Sequence, residues 1–146
     1  MTDPGAIVVR PAISADAERI AGLFTDEGYP VGPTDIVDRL GRFAEPGSAV
    51  LVATSGDEIL GFLAIHLVPR FEADAPFARI VALVVDAGVR ERGVGHVLME
   101  AAERGARDDG AAFIEVTSGH HRPDARRLYE ALGYDGTVTA YLRKRL

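Results

Sequence analysis

Apolar residues recur along the chain with two spacings, and the switches between them mark out the elements. Residues 6–10, AIVVR, form a short apolar run stopped by Pro11, as expected of a first or edge strand. Ala17, Ile20, Ala21, Leu23 and Phe24 then share one helical face, with Ser14 or Asp16 placed to cap that helix and Gly28 to end it. The rigid connection Tyr29-Pro30-Val31-Gly32-Pro33 leads to a second helix, capped at Thr34 or Asp35, with Ile36, Val37, Leu40 and Phe43 on one side. Ala49 to Thr54 and Ile59 to Leu67 read as an antiparallel hairpin turning at Ser55-Gly56-Asp57-Glu58, and Gly61 marks a bulge. After a loop carrying Arg70, Glu72 and Asp74, the run Phe77 to Val85 is apolar on both faces, as a central strand with layers on each side requires.

Val94, Val97, Leu98, Ala101 and Ala102 have helical spacing, and Gly110 stops that helix. Ala112 to Thr117 reads as another central strand, so strand, helix and strand here predict a right-handed parallel crossover. A final helix runs from about Pro123 to Leu132 and ends at Gly133; Val138 to Arg143 is the predicted last strand. The resulting order, β-α-α-β-β-β-α-β-α-β, predicts a mixed α+β sheet with helices on both faces. It forms a single domain over residues 1–146, with no internal repeat and no linker.

The densest chemistry lies between the long apolar strand and the helix that follows. Asp86-Ala87-Gly88 is turn-like, and Arg90-Glu91-Arg92-Gly93-Val94-Gly95 leads directly into the helix. Glycines one residue apart let backbone approach a ligand, and the first-turn amides of a helix stand unsatisfied at the positive end of its dipole. Arg90 and Arg92 add fixed positive charge, which suits a pyrophosphate; the competing reading is a tight strand-to-helix connection with no ligand. The spacing lacks the third glycine of a dinucleotide fingerprint and the Gly-Lys-Ser/Thr of a nucleotide-triphosphate loop.

Composition narrows the classes. A hydrophobic fraction of 47% with 26% charged residues fits a globular chain, and the absence of cysteine excludes disulfides, thiolate metal sites and a cysteine nucleophile. No apolar run approaches the roughly 20 residues that span a bilayer, and the first residues lack a secretory pattern. The expectation is a cytoplasmic protein without membrane association. A net charge of −6 disfavours a nucleic-acid partner and slightly favours an amine substrate. His120 and His121, with only Asp124 as a further ligand, fall short of a metal site, and no metal is expected.

Arg90, Gly93 and Gly95 after a long strand, followed by Ala125-Arg126-Arg127-Leu128-Tyr129-Glu130-Ala131-Leu132-Gly133-Tyr134, resemble the two signatures of the GCN5-related N-acetyltransferases (GNAT). With the opening strand and helix, the resemblance spans nearly the whole chain. It implies acetyl-CoA as cosubstrate, its diphosphate gripped by main-chain nitrogens between Arg90 and His96, a set that takes in Arg92 and Val94. It further implies that main-chain groups of Leu83, Val84 and Val85 pair with the pantetheine, and that the first two helices overhang the acceptor site. Tyr129 corresponds to the family's tyrosine that protonates the CoA sulfur as general acid. Arg122 replaces the Asn that often opens the second signature, and with Arg126 or Arg127 its guanidinium suits either the CoA phosphates or an acidic group on the acceptor. The segment 118–134 is most similar to relatives that acetylate small amines, of the aminoalkylphosphonate and aminoglycoside types.

The sequence departs from the family at the general base. Many relatives carry a Glu on the central strand where this chain has Val81 and Ala82, so the base is left among Glu72, Glu115, His120, His121 and water. The implied function is transfer of an acetyl group to a primary amine of a small molecule or protein; the alternative is an acyl-CoA-binding sensor without turnover. One strand after the last helix is fewer than many relatives carry, so the sheet closes on a short edge or borrows a strand in a homodimer.

Overall fold

The structure is a computed structural model that describes residues 5–117 and 123–146. One five-stranded sheet runs in chain order: β1 (Val8–Pro11), β2 (Ser48–Ser55), β3 (Glu58–Val68), β4 (Phe77–Val85) and β5 (Ile114–Val116). All neighbours are antiparallel except β4 and β5, which are parallel and joined through a helix, as the strand-helix-strand pattern requires. The helices are α1 (Ala17–Asp26), α2 (Pro33–Arg42), α3 (Val94–Asp108) and α4 (Pro123–Ala131).

Alternation along the strands sends side chains to two cores. Leu63, Ile80 and Leu83 meet Val94, Leu98 and Met99 of α3 and Tyr129 of α4 on one face. Val52, Phe62 and Val84 lie beneath Ile20 and Leu23 of α1 and Ile36 of α2 on the other. The mixed α+β fold with helices on both faces is therefore present.

Two bulges set which side chains reach which face. In β3 the ladder to β2 shifts between Ala53 and Thr54, leaving Leu60 as the extra residue beside Gly61. A Cβ on Gly61 would stand 2.8 Å from the Val84 carbonyl oxygen and 3.2 Å from Val94 Cγ1, so strand and helix close over a bare backbone. In β4 the ladder shifts so that Ala64 faces Ala82 and Ile65 faces Ile80, with Val81 left over and half exposed. One added residue reverses the parity of a strand. Ala78 and Ile80 before the bulge consequently share their face with Leu83 and Val85 after it.

Several expectations are corrected. The strand at Val138 to Arg143 does not form: Val138, Tyr141 and Leu142 are 75%, 63% and 89% exposed, and apolar alternation without a face to bury gives no strand. The order ends at α4, and β5, read as central, is a short edge paired, among the described residues, through Ala78–Ile114, Arg79–Glu115 and Ile80–Val116. Nor is β4 buried on both faces throughout, because Arg79 and Val81 are exposed. The N-cap of α2 is Gly32, not Thr34 or Asp35, since Pro33 at the first helical position presets the backbone one turn earlier.

The helical stretch before α1 begins with a 3₁₀ turn, Ser14–Asp16. Asp16, 5% exposed, reaches back rather than forward: its Oδ2 accepts from the Ile13 amide at 2.8 Å. Arg10 donates to both its oxygens, at 2.8 and 2.9 Å. The Arg10 guanidinium, opposed by burial and aided by the Ile13 amide, holds the Asp16 carboxyl below the usual carboxylate range.

Candidate active site

Among the described residues the β4–β5 ladder ends at Ile80–Val116, and a cleft of about 270 Å³ lies beside the second half of β4. Leu83 and Val85 form one wall, and Arg90, Gly93, Gly95 and His96 form the floor. Asp124, Ala125 and Leu128 of α4 form the opposite wall, with Glu27 from the end of α1 at the rim.

The segment between β4 and α3, turn-like in its sequence at Asp86-Ala87-Gly88, is a 3₁₀ turn, Ala87–Arg92, kinked at Val89. Asp86 caps it, its Oδ1 accepting from the Gly88 amide at 2.9 Å. Arg19 of α1 donates to Asp86 Oδ2 at 2.6 Å and to the Ile59 carbonyl at 3.1 Å, tying α1 to the ends of both β3 and β4. The Gly88 amide first, and then Arg19, keep the Asp86 carboxyl below its ordinary value.

The two glycines do different things. Gly93 is the N-cap of α3 with φ of +79°, a left-handed conformation that side-chain-bearing residues avoid. Having no side chain, it leaves the first-turn amides without a side-chain cap, and no acidic residue stands in that turn. Gly95 is buried at the contact of α3 with α4, where a Cβ would come 2.8 Å from Leu128 Cδ2.

Charge at the cleft is balanced within the chain. Arg90 donates to Glu27 Oε1 at 2.6 Å and lies 3.9 Å from Asp124 Oδ2. Glu27 is 63 residues away in sequence and formed no part of the sequence-derived site; no local pattern marks it. Asp124 stands in the first turn of α4, and an acid there beside an arginine-bearing turn is a signal legible in the sequence.

Leu83, Val85, Arg90, Gly93, Gly95 and His96 thus come together at one cleft. Val84 points its side chain into the core under α1, and Val94 is fully buried under the sheet, so each offers the cleft main chain only. Arg92 points away, with Nη2 3.5 Å from the Gly5 carbonyl, and His96 pairs with Glu100 at 2.8 Å. Tyr129 is buried in the core with α3, one residue beyond the cleft-lining Leu128, and its ring centroid is 6.0 Å from that of Tyr134. Burial, and next the neighbouring Glu103 carboxylate that accepts from it at 3.3 Å, raise the Tyr134 phenol above its ordinary value.

Of the candidate bases, Glu115 is bound to Arg79, its register partner, whose Nε donates at 2.8 Å. Glu72 is exposed in the loop before β4. His120, His121 and Arg122 lie outside the described residues. Among the described residues no group of three His, Asp or Glu is placed to hold a metal ion, and no helix is long and apolar enough to cross a membrane.

Residues 16–134 match the profile of the Acetyltransferase (GNAT) family. The chain is 31% identical over 137 residues to YhfO of Bacillus subtilis (strain 168), an uncharacterized N-acetyltransferase, over 87% of this chain and 89% of that one. Its fold resembles that of a transcriptional regulator from Bacillus halodurans C-125, with a TM-score of 0.89 at 24% identity over 97% of this chain and 100% of the other. It also resembles a GNAT family acetyltransferase of Staphylococcus aureus, with a TM-score of 0.79 at 22% identity over 96% and 99%. Those two structures speak for the fold, whereas the family match and the B. subtilis relative reach further: this chain belongs to the GNAT acetyltransferase family.

Proposed function

We propose that the protein is an acetyl-CoA-dependent N-acetyltransferase acting on a primary amine of a small molecule or protein, with Tyr129 as general acid. The observation that carries this is the glycine-capped N-terminus of α3 opening into the cleft beside Arg90. Its donors fit a diphosphate: the amides of Val94, Gly95 and His96 lack a side-chain cap, and Arg90 adds a guanidinium whose present partners are carboxylates. Arg92 contributes charge at longer range. The backbone of Leu83, Val84 and Val85, on the stretch that β5 has left, supplies strand-like pairing for the pantetheine.

Bound acetyl-CoA supplies an activated acyl group: the amine nitrogen bonds to the acetyl carbon, the carbon–sulfur bond breaks, and the sulfur leaves as a thiol. Tyr129 is the proton source for that sulfur in this reading. Its position on α4, the helix whose Asp124, Ala125 and Leu128 line the cleft, supports the role. Val81 and Ala82 put no proton acceptor at the β4 bulge, so the amine's proton passes to water.

Release of free CoA thiol on mixing protein, acetyl-CoA and amines tests the reading. Tyr129→Phe is expected to lower turnover about a hundredfold, the low end for a positioned acid, while calorimetric affinity for CoA stays within about twofold. Unchanged turnover would refute the assignment. The missing strand carboxylate favours a second reading, an acyl-CoA sensor. Saturable CoA binding with no thiol release across a broad amine panel selects it.

A further inference from the structure

A second cavity, about 190 Å³, lies on the other face of β4, beneath α1 and α2. β4 is common to both walls: Val81 and Ala82 line this cavity, and Leu83 lines the cleft. Phe24 and Phe62, edge to face at 4.7 Å between centroids, form part of its wall with Leu40 and Phe43. Among the described residues of the lining, Arg39 is the only one that is charged or polar, and none is a carboxylate.

Arg39 thus brings a positive charge to this cavity with no counter-charge in the lining. Arg10, Arg19, Arg79 and Arg90 bind carboxylates, whereas the Arg39 guanidinium, like that of Arg42 on the same helix, makes no hydrogen bond or ion pair among the described residues, although Asp35 stands one turn earlier on α2. A free guanidinium at an apolar cavity attracts an anionic group and opposes a cationic one. An amino sugar bearing several ammonium groups finds no counter-charge there, so the small-amine relatives of aminoglycoside type are a poor guide to this cavity.

We infer that the acceptor is an amino acid-like amine of leucine or phenylalanine size: its apolar body fills the cavity under α1 and α2, its carboxylate pairs with Arg39, and its amine meets the acyl group at the Val81 bulge. The inference rests on the acyl-transfer reading. The new bond joins that amine nitrogen to the acetyl carbon, the thioester carbon–sulfur bond breaks, sulfur gains a proton and the amine gives one to water.

The test measures thiol release from acetyl-CoA with phenylalanine, leucine, phenethylamine, glycine and kanamycin, after calorimetry has verified CoA binding to each variant. Phenylalanine and leucine are expected to exceed glycine at least tenfold in kcat/KM, with kanamycin slowest. Arg39→Ala is expected to lower the preference for phenylalanine over phenethylamine about tenfold, with Arg39→Lys restoring part of it. Because Arg39 is exposed on α2, its loss leaves the core intact. Preference for kanamycin or glycine, or an unchanged phenylalanine-to-phenethylamine ratio in Arg39→Ala, overturns the inference while acyl transfer stands. If no amine is turned over, titration of phenylalanine into CoA-saturated protein decides: saturable binding weakened by Arg39→Ala supports it, and no binding overturns it. Failure to bind CoA at all removes the acyl-transfer reading, and this inference with it.

Discussion

Two helical segments start at opposite ends of the sheet and resolve their exposed amides in opposite ways. At the start of the Ser14–Asp26 stretch the chain supplies its own anion, since Asp16 accepts from the Ile13 amide and is locked by Arg10. At the start of α3 a bare glycine stands in the capping position, no acid occupies the first turn, and Arg90 lines the same cleft. A helix end that carries its own carboxylate is finished as structure, whereas one left open beside a cleft and an arginine is prepared for an anion from outside. The difference makes the first a structural cap and the second the anion site of the proposed function.

The largest expected effect breaks the closed end. Asp16→Asn is expected to cost about 2 kcal/mol in denaturant unfolding at neutral pH, the scale of a hydrogen bond to a charged group, with CoA affinity unmoved. The Asp16 carboxyl is held below its unfolded value, which is about 4, so its stabilisation is complete above that pH and fades as pH falls through the folded value. Wild type and variant should therefore converge in acid. A constant gap would show that the loss is packing and not charge.

At the open end, Arg90→Ala is expected to weaken CoA binding about tenfold by calorimetry, in line with one charge-assisted contact. Its effect on stability should be small, because its Glu27 and Asp124 partners are surface pairs. Gly93→Ala forces a residue with a Cβ into the left-handed region and is expected to cost about 1 kcal/mol in thermal unfolding. The smallest effect sharpens the comparison: Glu27→Gln removes the carboxylate that competes for Arg90 and should tighten CoA binding about twofold, a surface-pair magnitude. Weaker binding instead would make Glu27 a residue that positions Arg90.

The sequence was most informative where chemistry and periodicity coincide locally. Arg90, Gly93 and Gly95 occupy consecutive turns of backbone, so their spacing alone predicts a strand, a tight turn and a helix start, and the cleft forms there. Glu27 escaped notice because its partner is brought to it by the fold, through α1 packing on the sheet and Arg19 fastening it to Asp86. The last strand was overread for the converse reason: Val138, Ala140 and Leu142 alternate with more polar positions, yet alternation is only a permission, and no face receives them. Tyr129 lay in a recognisable signature, but its burial follows from α4 lying against α3, which spacing within α4 does not disclose.

The surplus residue in β4 has an evolutionary corollary. Because Val81 reverses the strand's parity, substitutions at Val81 and Ala82 can retailor the chamber under α1 and α2 while leaving Leu83 and Val85 along the cleft unaltered. Under the proposed function, a lineage carrying this kink is free to exchange one acceptor for another by small steps, without ever re-inventing the grip on the donor.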